Sequence, residues 1–179
     1  MSHTLLGISG ALRAASSNTL LLHEAARAFA PARFTLGDIR FPLYDGDLEA
    51  ESGVPEAVMR LADEILAADA VLIATPEYNK GIPGGLKNAL DWLSRTRKAP
   101  LKDKPVALLS SAAGRGGGEV AQFALRHLLL AFGPRIAPGG MVAIAGANGA
   151  FDEAGQLKDP KSFELLTKLM DALKAEIQR

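Results

Sequence analysis

The sequence predicts an α/β protein built on a doubly wound parallel sheet. Short apolar runs that are typical of buried strands alternate along the chain with longer segments of helical periodicity. Hydrophobic residues make up 48% of the 179 residues, and the formal net charge is zero. A disordered chain has the opposite combination of low hydrophobicity and high net charge. The length is typical of one domain, so we expect residues 1–179 to fold as a single unit.

Five segments have the composition of strands. Residues 4–9 form a short apolar run that ends at a serine, and residues 70–74 are apolar throughout. In the last segment Pro138, Gly139 and Gly140 interrupt the strand pattern. The predicted strands cover residues 4–9, 33–39, 70–74, 105–110 and 135–145.

Five longer segments have helical periodicity. In the first of them Leu21, Ala25 and Phe29 recur at helical spacing, and Pro31 ends the segment. Residues 40–53 are rich in turn-forming residues, and we expect them to form a loop. The predicted helices cover residues 18–30, 54–68, 85–97, 119–132 and 160–177.

Strands that alternate with helices at this spacing form βαβ units, and their right-handed crossovers leave few topologies for the parallel sheet. Such sheets bind ligands beyond the carboxyl ends of their strands. The loops that follow the first, third and fourth strands are therefore the candidates for a functional site.

The composition excludes several classes of function. Lys+Arg and Asp+Glu are 20 each, without the basic excess that is common in nucleic-acid-binding domains. The chain has no cysteine, which excludes disulfides and thiolate nucleophiles, and its three histidines share no metal-ligand spacing. No apolar stretch reaches the roughly 20 residues of a membrane span, and the N-terminus lacks a signal-peptide pattern. We expect a soluble, cytoplasmic protein that binds no nucleic acid, no membrane and no metal.

The loop after the first predicted strand has the composition of an anion site. It places Ser9, Arg13, Ser16, Ser17 and Asn18 around the start of a helix, where free backbone N–H groups and the helix dipole attract negative charge. Hydroxyls and a guanidinium at this position favour a phosphate monoester. The loop is neither a Walker loop nor a G-x-G-x-x-G turn. The alternative is ordinary capping by a serine or the asparagine, with Arg13 as a solvated surface charge.

The loop after the third predicted strand combines stiff backbone with a ring and an amide. Residues 75–92 read TPEYNKGIPGGLKNALDW, in which prolines and glycines leave the backbone exposed to an approaching ligand. Tyr78 and Asn79 add an aromatic ring and a carboxamide. This combination favours a ligand that is a planar heterocycle with polar edges. The alternative is a structural turn, and we expect Trp92 to lie in the core or at an interface.

Glycines also dominate the loop after the fourth predicted strand. Residues 110–119 read SSAAGRGGGE, which allows close backbone approach to a ligand at the same edge of the sheet. Ser110 and Ser111 are candidate contacts, and Gly117 is a further one. The alternative is a flexible turn that closes only in an assembly.

Two of these segments together resemble the signatures of the NADPH-dependent FMN reductase family. The pattern G-S-L-R-x-x-S-x-N is matched from Gly10 to Asn18 except at Ala11, where the family usually has serine. The pattern P-E-Y-N-x-x-x-P-G-x-L-K-N-A-[IL]-D-W is matched throughout residues 76–92. Apart from position 11, the resemblance extends over the whole chain.

The resemblance implies a flavodoxin-like three-layer sandwich, with helices on both faces of a five-stranded parallel sheet of order 2-1-3-4-5. It also implies noncovalent FMN, NADPH or NADH as co-substrate, and a homodimer or in some members a homotetramer. By the same resemblance, the residues that would hold the FMN phosphate are Ser9, Arg13, Ser16, Ser17 and Asn18. Those that would surround the isoalloxazine ring are Pro76, Glu77, Tyr78, Asn79, Lys80, Gly81, Ser110, Ser111 and Gly117.

The activity implied by the resemblance is that of an NAD(P)H-dependent, FMN-containing oxidoreductase. NAD(P)H would transfer a hydride to the flavin, and a small acceptor would then take the electrons at the same face in a ping-pong reaction. Quinones are the first expectation, and azo, nitro and chromate-type acceptors are further ones. Because the flavin carries the chemistry, no catalytic side chain is predicted.

Other interpretations remain open at this point. A flavodoxin-type electron carrier would share the fold, but low-potential flavodoxins are typically very acidic, whereas this chain is neutral overall. A flavin-binding domain without activity is another alternative, and a flavin-free regulatory or binding domain would be consistent with the alanine at position 11. A nucleotide or sugar-phosphate binder would use only the loop after the first strand and would leave the PEYN segment unexplained.

Overall fold

The computed structural model describes residues 3–179. Within that range the chain forms a sheet of six strands with helices on both faces. The strands are β1 Thr4–Ser9, β2 Arg33–Gly37, β3 Ala70–Thr75, β4 Pro105–Ser111, β5 Arg135–Ile136 and β6 Val142–Ile144. The helices are α1 Ser17–Phe29, α2 Gly46–Ser52, α3 Glu56–Ala67, α4 Gly84–Arg95, α5 Glu119–Leu129 and α6 Pro160–Ile177.

The order of the strands confirms the predicted topology. Along the sheet the strands lie in the order β2-β1-β3-β4-β5, and all pairings between these strands are parallel. Strand β6 also pairs in parallel with β4, with Leu109 opposite Val142. Because β1, β3 and β4 are neighbours, their carboxyl ends open together at one edge of the sheet, where ligands bind in folds of this kind.

Apolar side chains fill the space between the sheet and the helices on each face. On one face α3, α4 and α5 pack against the central strands, and Trp92 is fully buried among them, as predicted. On the other face α1 and α6 form a second cluster that includes Leu21 and Met170. All residues of β3 are buried because helices cover both of its faces. None of the helices within residues 3–179 is long and apolar enough to cross a membrane.

The prediction of a continuous loop over residues 40–53 is wrong, because α2 lies within this segment. Asp45 caps the helix, and its side chain accepts a hydrogen bond from the Asp47 N–H at 2.9 Å. No residue of α2 is fully buried, and Leu48 alone packs partly against the core, so the helix lacks the repeated apolar residues from which helical periodicity is recognised. Capping and an ion pair between Glu49 and Arg95 (2.9 Å) stabilise the helix instead.

The fifth predicted strand is divided in the structure. Residues 137–141 leave the edge of the sheet between β5 and β6, which pair separately with the beginning and the end of β4. The prediction that Pro138, Gly139 and Gly140 interrupt this strand is confirmed. Each of the two resulting strands is only two or three residues long.

Candidate functional site

Helix α1 follows the loop after β1, and its N-terminus is suited to an anion. Ser16 is the N-cap, and its Oγ accepts a hydrogen bond from the Asn18 N–H at 3.2 Å. The first turn contains no acidic side chain, so the positive end of the helix dipole is not neutralised. The capping interpretation is confirmed for Ser16. It is compatible with anion binding, because a helix N-terminus has further backbone N–H groups without partners in the helix.

Arg13 lies in the loop that leads into α1. Its guanidinium forms no hydrogen bond or ion pair with any residue between positions 3 and 179. An arginine stays charged at every physiological pH and presents five N–H donors in a planar fork. Arg13 is therefore available to pair with an anionic ligand.

Asn18 connects helix α1 to the end of strand β4. Its Nδ2 donates to the Ser111 carbonyl oxygen at 2.9 Å, and its Oδ1 accepts from the Ser111 N–H at 3.0 Å. Both residues are buried. We call this pair of hydrogen bonds the Asn18–Ser111 clamp. The clamp fixes the distance between the N-terminus of α1 and the loop after β4, so Asn18 positions the site in addition to being a candidate ligand.

A cavity of about 240 Å³ lies between the loops that follow β1, β3, β4 and β6. We call it the α1 cavity. The Ser111 Oγ is buried and has no hydrogen-bond partner among the described residues. Leaving a buried hydroxyl unpaired costs about 1–3 kcal/mol, which is typical of a site that a ligand completes. The predicted residues that line the α1 cavity are Arg13, Ser16, Ser17, Asn18, Pro76, Glu77, Tyr78 and Ser111.

The loop after β3 forms a tight turn next to the α1 cavity. The backbones of Tyr78 and Gly81 exchange two hydrogen bonds of 3.0 Å. Asn79 and Lys80, which lie between them, have φ values of +49° and +64°, as in a type I′ turn. Tyr78 lines the cavity and is 52% exposed, so its ring is available to a flat ligand.

Glu77 connects this turn to helix α5. Its Oε1 accepts a hydrogen bond from Lys80 Nζ at 2.9 Å, and its Oε2 accepts from the Ala121 N–H at 3.4 Å in the first turn of α5. The Lys80 ammonium, aided by that N–H group, holds the pKa of the Glu77 carboxyl below its ordinary value. Glu77 therefore contributes an ionised carboxylate to the cavity wall and is not a proton donor at neutral pH.

Ser110 and Gly117 support the loop after β4 and lie outside the lining of the α1 cavity. The Ser110 Oγ donates to the Gly117 carbonyl oxygen at 2.7 Å and accepts from Gln122 Nε2 at 2.9 Å. Gly117 has a φ of +59°, and a Cβ placed on it would lie 2.5 Å from the Ala143 carbonyl carbon. Glycine is therefore required for close packing of this loop on β6. Direct contact of either residue with a ligand stays a prediction.

The remaining predicted residues lie beside the α1 cavity and not in its lining. The Ser9 Oγ donates to the Ala11 carbonyl oxygen at 3.2 Å and accepts from Thr19 Oγ1 at 3.2 Å, so it stabilises the loop before α1. The other residues of this group belong to the tight turn after β3 and are Asn79, Lys80 and Gly81. Their contacts with a cofactor also stay predictions.

The sequence interpretation missed the contribution of the loop after β6. Ala147 and Asn148 line the α1 cavity, and the Ala147 N–H donates to the Ala112 carbonyl oxygen at 3.2 Å. A signal was present, because this polar, glycine-flanked turn follows a strand and the rule for carboxyl ends applies to it as well. Ala112 and Ala113 were missed too, since alanine carries no polar signal.

The fold and the site together define a class of protein. A doubly wound sheet of order 2-1-3-4-5, with an open helix N-terminus, an arginine and an exposed ring beyond its strand ends, is a flavodoxin-like protein suited to a planar cofactor with a phosphate. The family model described as NADPH-dependent FMN reductase matches residues 3–149. The chain belongs to the NADPH-dependent FMN reductase family.

Relatives of this chain match it over almost its whole length. An NAD(P)H-dependent FMN reductase of Pseudomonas aeruginosa is 43% identical over 177 residues, covering 98% of this chain and 95% of the relative. A quinone reductase of Escherichia coli is 37% identical over 181 aligned residues, covering 95% of this chain and 93% of the relative. The structure of FerB, a flavoenzyme NAD(P)H:(acceptor) oxidoreductase from Paracoccus denitrificans, has a TM-score of 0.87 and 34% identity, covering 98% of this chain and 97% of that one.

Proposed function

We propose that this protein is an NAD(P)H-dependent oxidoreductase that holds FMN noncovalently in the α1 cavity and reduces quinones. The observation that carries the proposal is the chemistry of the cavity wall. Arg13 and an unneutralised helix N-terminus suit a phosphate, and the unpartnered Ser111 hydroxyl suits the polar edge of a ring. The relatives named as FMN reductase and quinone reductase support this reaction class. Azo, nitro and chromate-type compounds are further candidate acceptors.

The phosphate of FMN would lie at the N-terminus of α1. Arg13 would form a charge-assisted pair with it, and such a pair is roughly twice as strong as a neutral hydrogen bond. The hydroxyls of Ser16 and Ser17 and the free backbone N–H groups of the first turn would complete the phosphate site.

The isoalloxazine ring would lie between the loops after β3 and β4. Pro76 presents an apolar surface without an N–H group, and Tyr78 borders the cavity on the same side. The Ser111 Oγ is free to donate to an acceptor atom of the ring, and the Asn18–Ser111 clamp fixes the position of that serine. When bound, FMN supplies the two-electron transfer between a reduced nicotinamide and the acceptor.

The side chains around the α1 cavity would bind and orient the ligands, because the flavin carries the chemistry. The lining contains neither histidine nor lysine among the described residues, and its one carboxylate, Glu77, is kept ionised by Lys80. We propose that nicotinamide and acceptor use the same open face of the flavin in turn. This order of events predicts parallel lines in double-reciprocal plots, and intersecting lines would count against it.

The visible absorption spectrum of the freshly purified protein tests the proposal. It is recorded before and after addition of NADPH in the absence of oxygen. A flavin band that bleaches is the expected result and establishes both the cofactor and the reductase activity. A flavin band that persists would favour an electron carrier on the same fold. No band, even after addition of FMN, would favour a domain without flavin.

We further propose that two copies of the chain form a homodimer. Val120, Phe123 and Leu130 are 43%, 57% and 74% exposed and lie along one side of α5 and its C-terminal end. A row of exposed apolar side chains is typical of a protein interface. Because α5 begins beside Glu77, a partner on this helix would border the α1 cavity. A homotetramer, a cytoplasmic location and a single domain over residues 1–179 stay predictions.

A further inference from the structure

A second cavity lies on the other side of the loop that leads into α1. It has a volume of about 340 Å³ and opens between this loop and the residues that follow β2. We call it the β2 cavity. Ala11 and Arg13 line both the α1 cavity and the β2 cavity. The two cavities are therefore neighbours, and ligands in both would meet the same arginine.

Arg40 is held in a fixed orientation in the wall of the β2 cavity. Its Nη1 donates to Asp38 Oδ1 at 3.0 Å, and its Nη2 donates to the Leu12 carbonyl oxygen at 2.6 Å. The side chain of Arg40 is nevertheless 60% exposed. A guanidinium that is already oriented loses little rotamer entropy when it binds a phosphate, and its planar fork matches the geometry of phosphate oxygens.

The charges and surfaces of the β2 cavity favour a nucleotide. Because Arg13 would pair with the phosphate of FMN, Arg40 is the guanidinium that remains for a second phosphate. Asp38 and the Leu12 carbonyl oxygen use two of its five N–H donors, so three are left for a ligand. Leu12 and Leu36, which are both exposed, offer apolar surface on which a base can lie. The cavity therefore provides for both the ring and the phosphate of a nucleotide.

We infer that the β2 cavity binds the adenosine end of NADPH, with Arg40 paired to the 2′-phosphate. The inference rests on the proposed function, because it requires the nicotinamide ring to lie at the α1 cavity. A dinucleotide carries a ring at each end and phosphates between them. Its two rings would lie in the two neighbouring cavities, and its phosphates would lie near the arginine that both cavities share. In dinucleotide sites of doubly wound folds, an arginine near the ribose can accommodate the 2′-phosphate that NADH lacks. NADPH is then preferred over NADH.

Calorimetric titration of the FMN-loaded protein with adenosine 2′,5′-bisphosphate tests this site without turnover. Arg40→Ala should raise the Kd of this probe about tenfold or more, because a charge-assisted pair is lost. Adenosine 5′-monophosphate lacks the 2′-phosphate, so it should bind the parent protein more weakly than the bisphosphate does. Its Kd should be similar for the parent and the variant. In steady-state assays the same variant should lose preference for NADPH over NADH.

Arg60→Ala is the matched control. The side chain of Arg60 is 65% exposed and is also paired with a carboxylate, Glu56, at 3.2 Å, but it lies on α3 outside both cavities. Asp38→Asn should change the Kd of the bisphosphate in the opposite direction. Removal of the negative charge beside Arg40 should lower the Kd of the bisphosphate at least about twofold. A loss of local structure would not produce this tighter binding.

Equal affinities of Arg40→Ala and Arg60→Ala for the bisphosphate would overturn the inference, as would the absence of bisphosphate binding at millimolar concentration. The flavin absorbance of the same samples separates this failure from failure of the proposed function. If the protein holds FMN but does not bind the bisphosphate, only the adenosine site is refuted. If the protein cannot be loaded with FMN, the proposed function is refuted and this inference with it.

Discussion

Three side chains in the wall of the α1 cavity offer different chemistry to a ligand. Arg13 offers a charge, Ser111 offers a hydroxyl without a partner among the described residues, and Ala11 offers only a methyl group. The family usually has serine at position 11. Because these residues line the cavity without forming the hydrophobic core between sheet and helices, their replacement tests binding more directly than folding.

Arg13→Ala should weaken FMN binding by at least about 1.5 kcal/mol, or roughly tenfold in Kd, because a charge-assisted pair with the phosphate is lost. Quenching of flavin fluorescence during titration of the apoprotein measures this Kd. Riboflavin lacks the phosphate and should bind the parent and the variant alike. Arg33→Ala, at an exposed arginine that begins β2, is the control. The same FMN affinity in both variants would remove Arg13 from the phosphate site.

Ala11→Ser should strengthen FMN binding by about 0.5–1.5 kcal/mol, the net contribution of one hydrogen bond. The added hydroxyl would lie in the cavity wall, at the position where the family usually has serine. Ala11→Val adds bulk without a hydroxyl and should bring no gain in the same titration. An unchanged Kd for the serine variant would mean that position 11 makes no contact with the phosphate.

At the scale of elements, the turn after β3 has a residue in an unfavourable backbone conformation. Lys80 has a φ of +64°, a conformation that L-residues other than glycine adopt at a cost of roughly 1–2 kcal/mol. The type I′ turn needs positive φ at both central positions, and asparagine followed by glycine is the preferred pair. Here Asn79 is followed by lysine.

Lys80→Gly should therefore be more stable than Lys80→Ala by about 1 kcal/mol in urea unfolding. Both variants lack the ion pair with Glu77, so the difference between their free energies of unfolding reports only the cost of the backbone conformation at residue 80. Equal free energies of unfolding would show that residue 80 does not hold a left-handed conformation in solution.

Elements with a buried apolar face could be predicted from the sequence, and contacts between distant residues could not. Strand β3 and helix α1 are examples of the first kind, because burial imposes a pattern on their apolar residues. Helix α2 is a counterexample, since it has no fully buried residue and begins at a side-chain cap. The Asn18–Ser111 clamp joins residues 93 positions apart, and no local pattern reports such a pair. The sequence could therefore identify the loops of the site but not the supporting roles of Asn18 and Ser110.

At the scale of the whole molecule, the apolar row on α5 is a surface that a second copy would cover. If the proposed homodimer forms through this row, Phe123→Lys should yield a monomer in sedimentation velocity experiments, because an unpaired charge in an apolar interface costs several kcal/mol. The circular dichroism spectrum should stay unchanged, since Phe123 is 57% exposed in the single chain.

Leu165→Lys is the control for this change. Leu165 is a comparably exposed apolar residue on α6, on the opposite face of the sheet, and its replacement should leave the dimer intact. A parent protein that is monomeric at micromolar concentration and fully active would refute the homodimer.

The Asn18–Ser111 clamp contributes to the width of the α1 cavity through contacts within the chain. The N-terminus of α1 and the loop after β4 are held at a fixed spacing by hydrogen bonds within the chain itself. The free energy of FMN binding would therefore not be reduced by the conformational entropy lost in ordering these two segments. Hydrogen bonds within the chain, and not the cofactor, would then determine how far apart the two sides of the cavity lie.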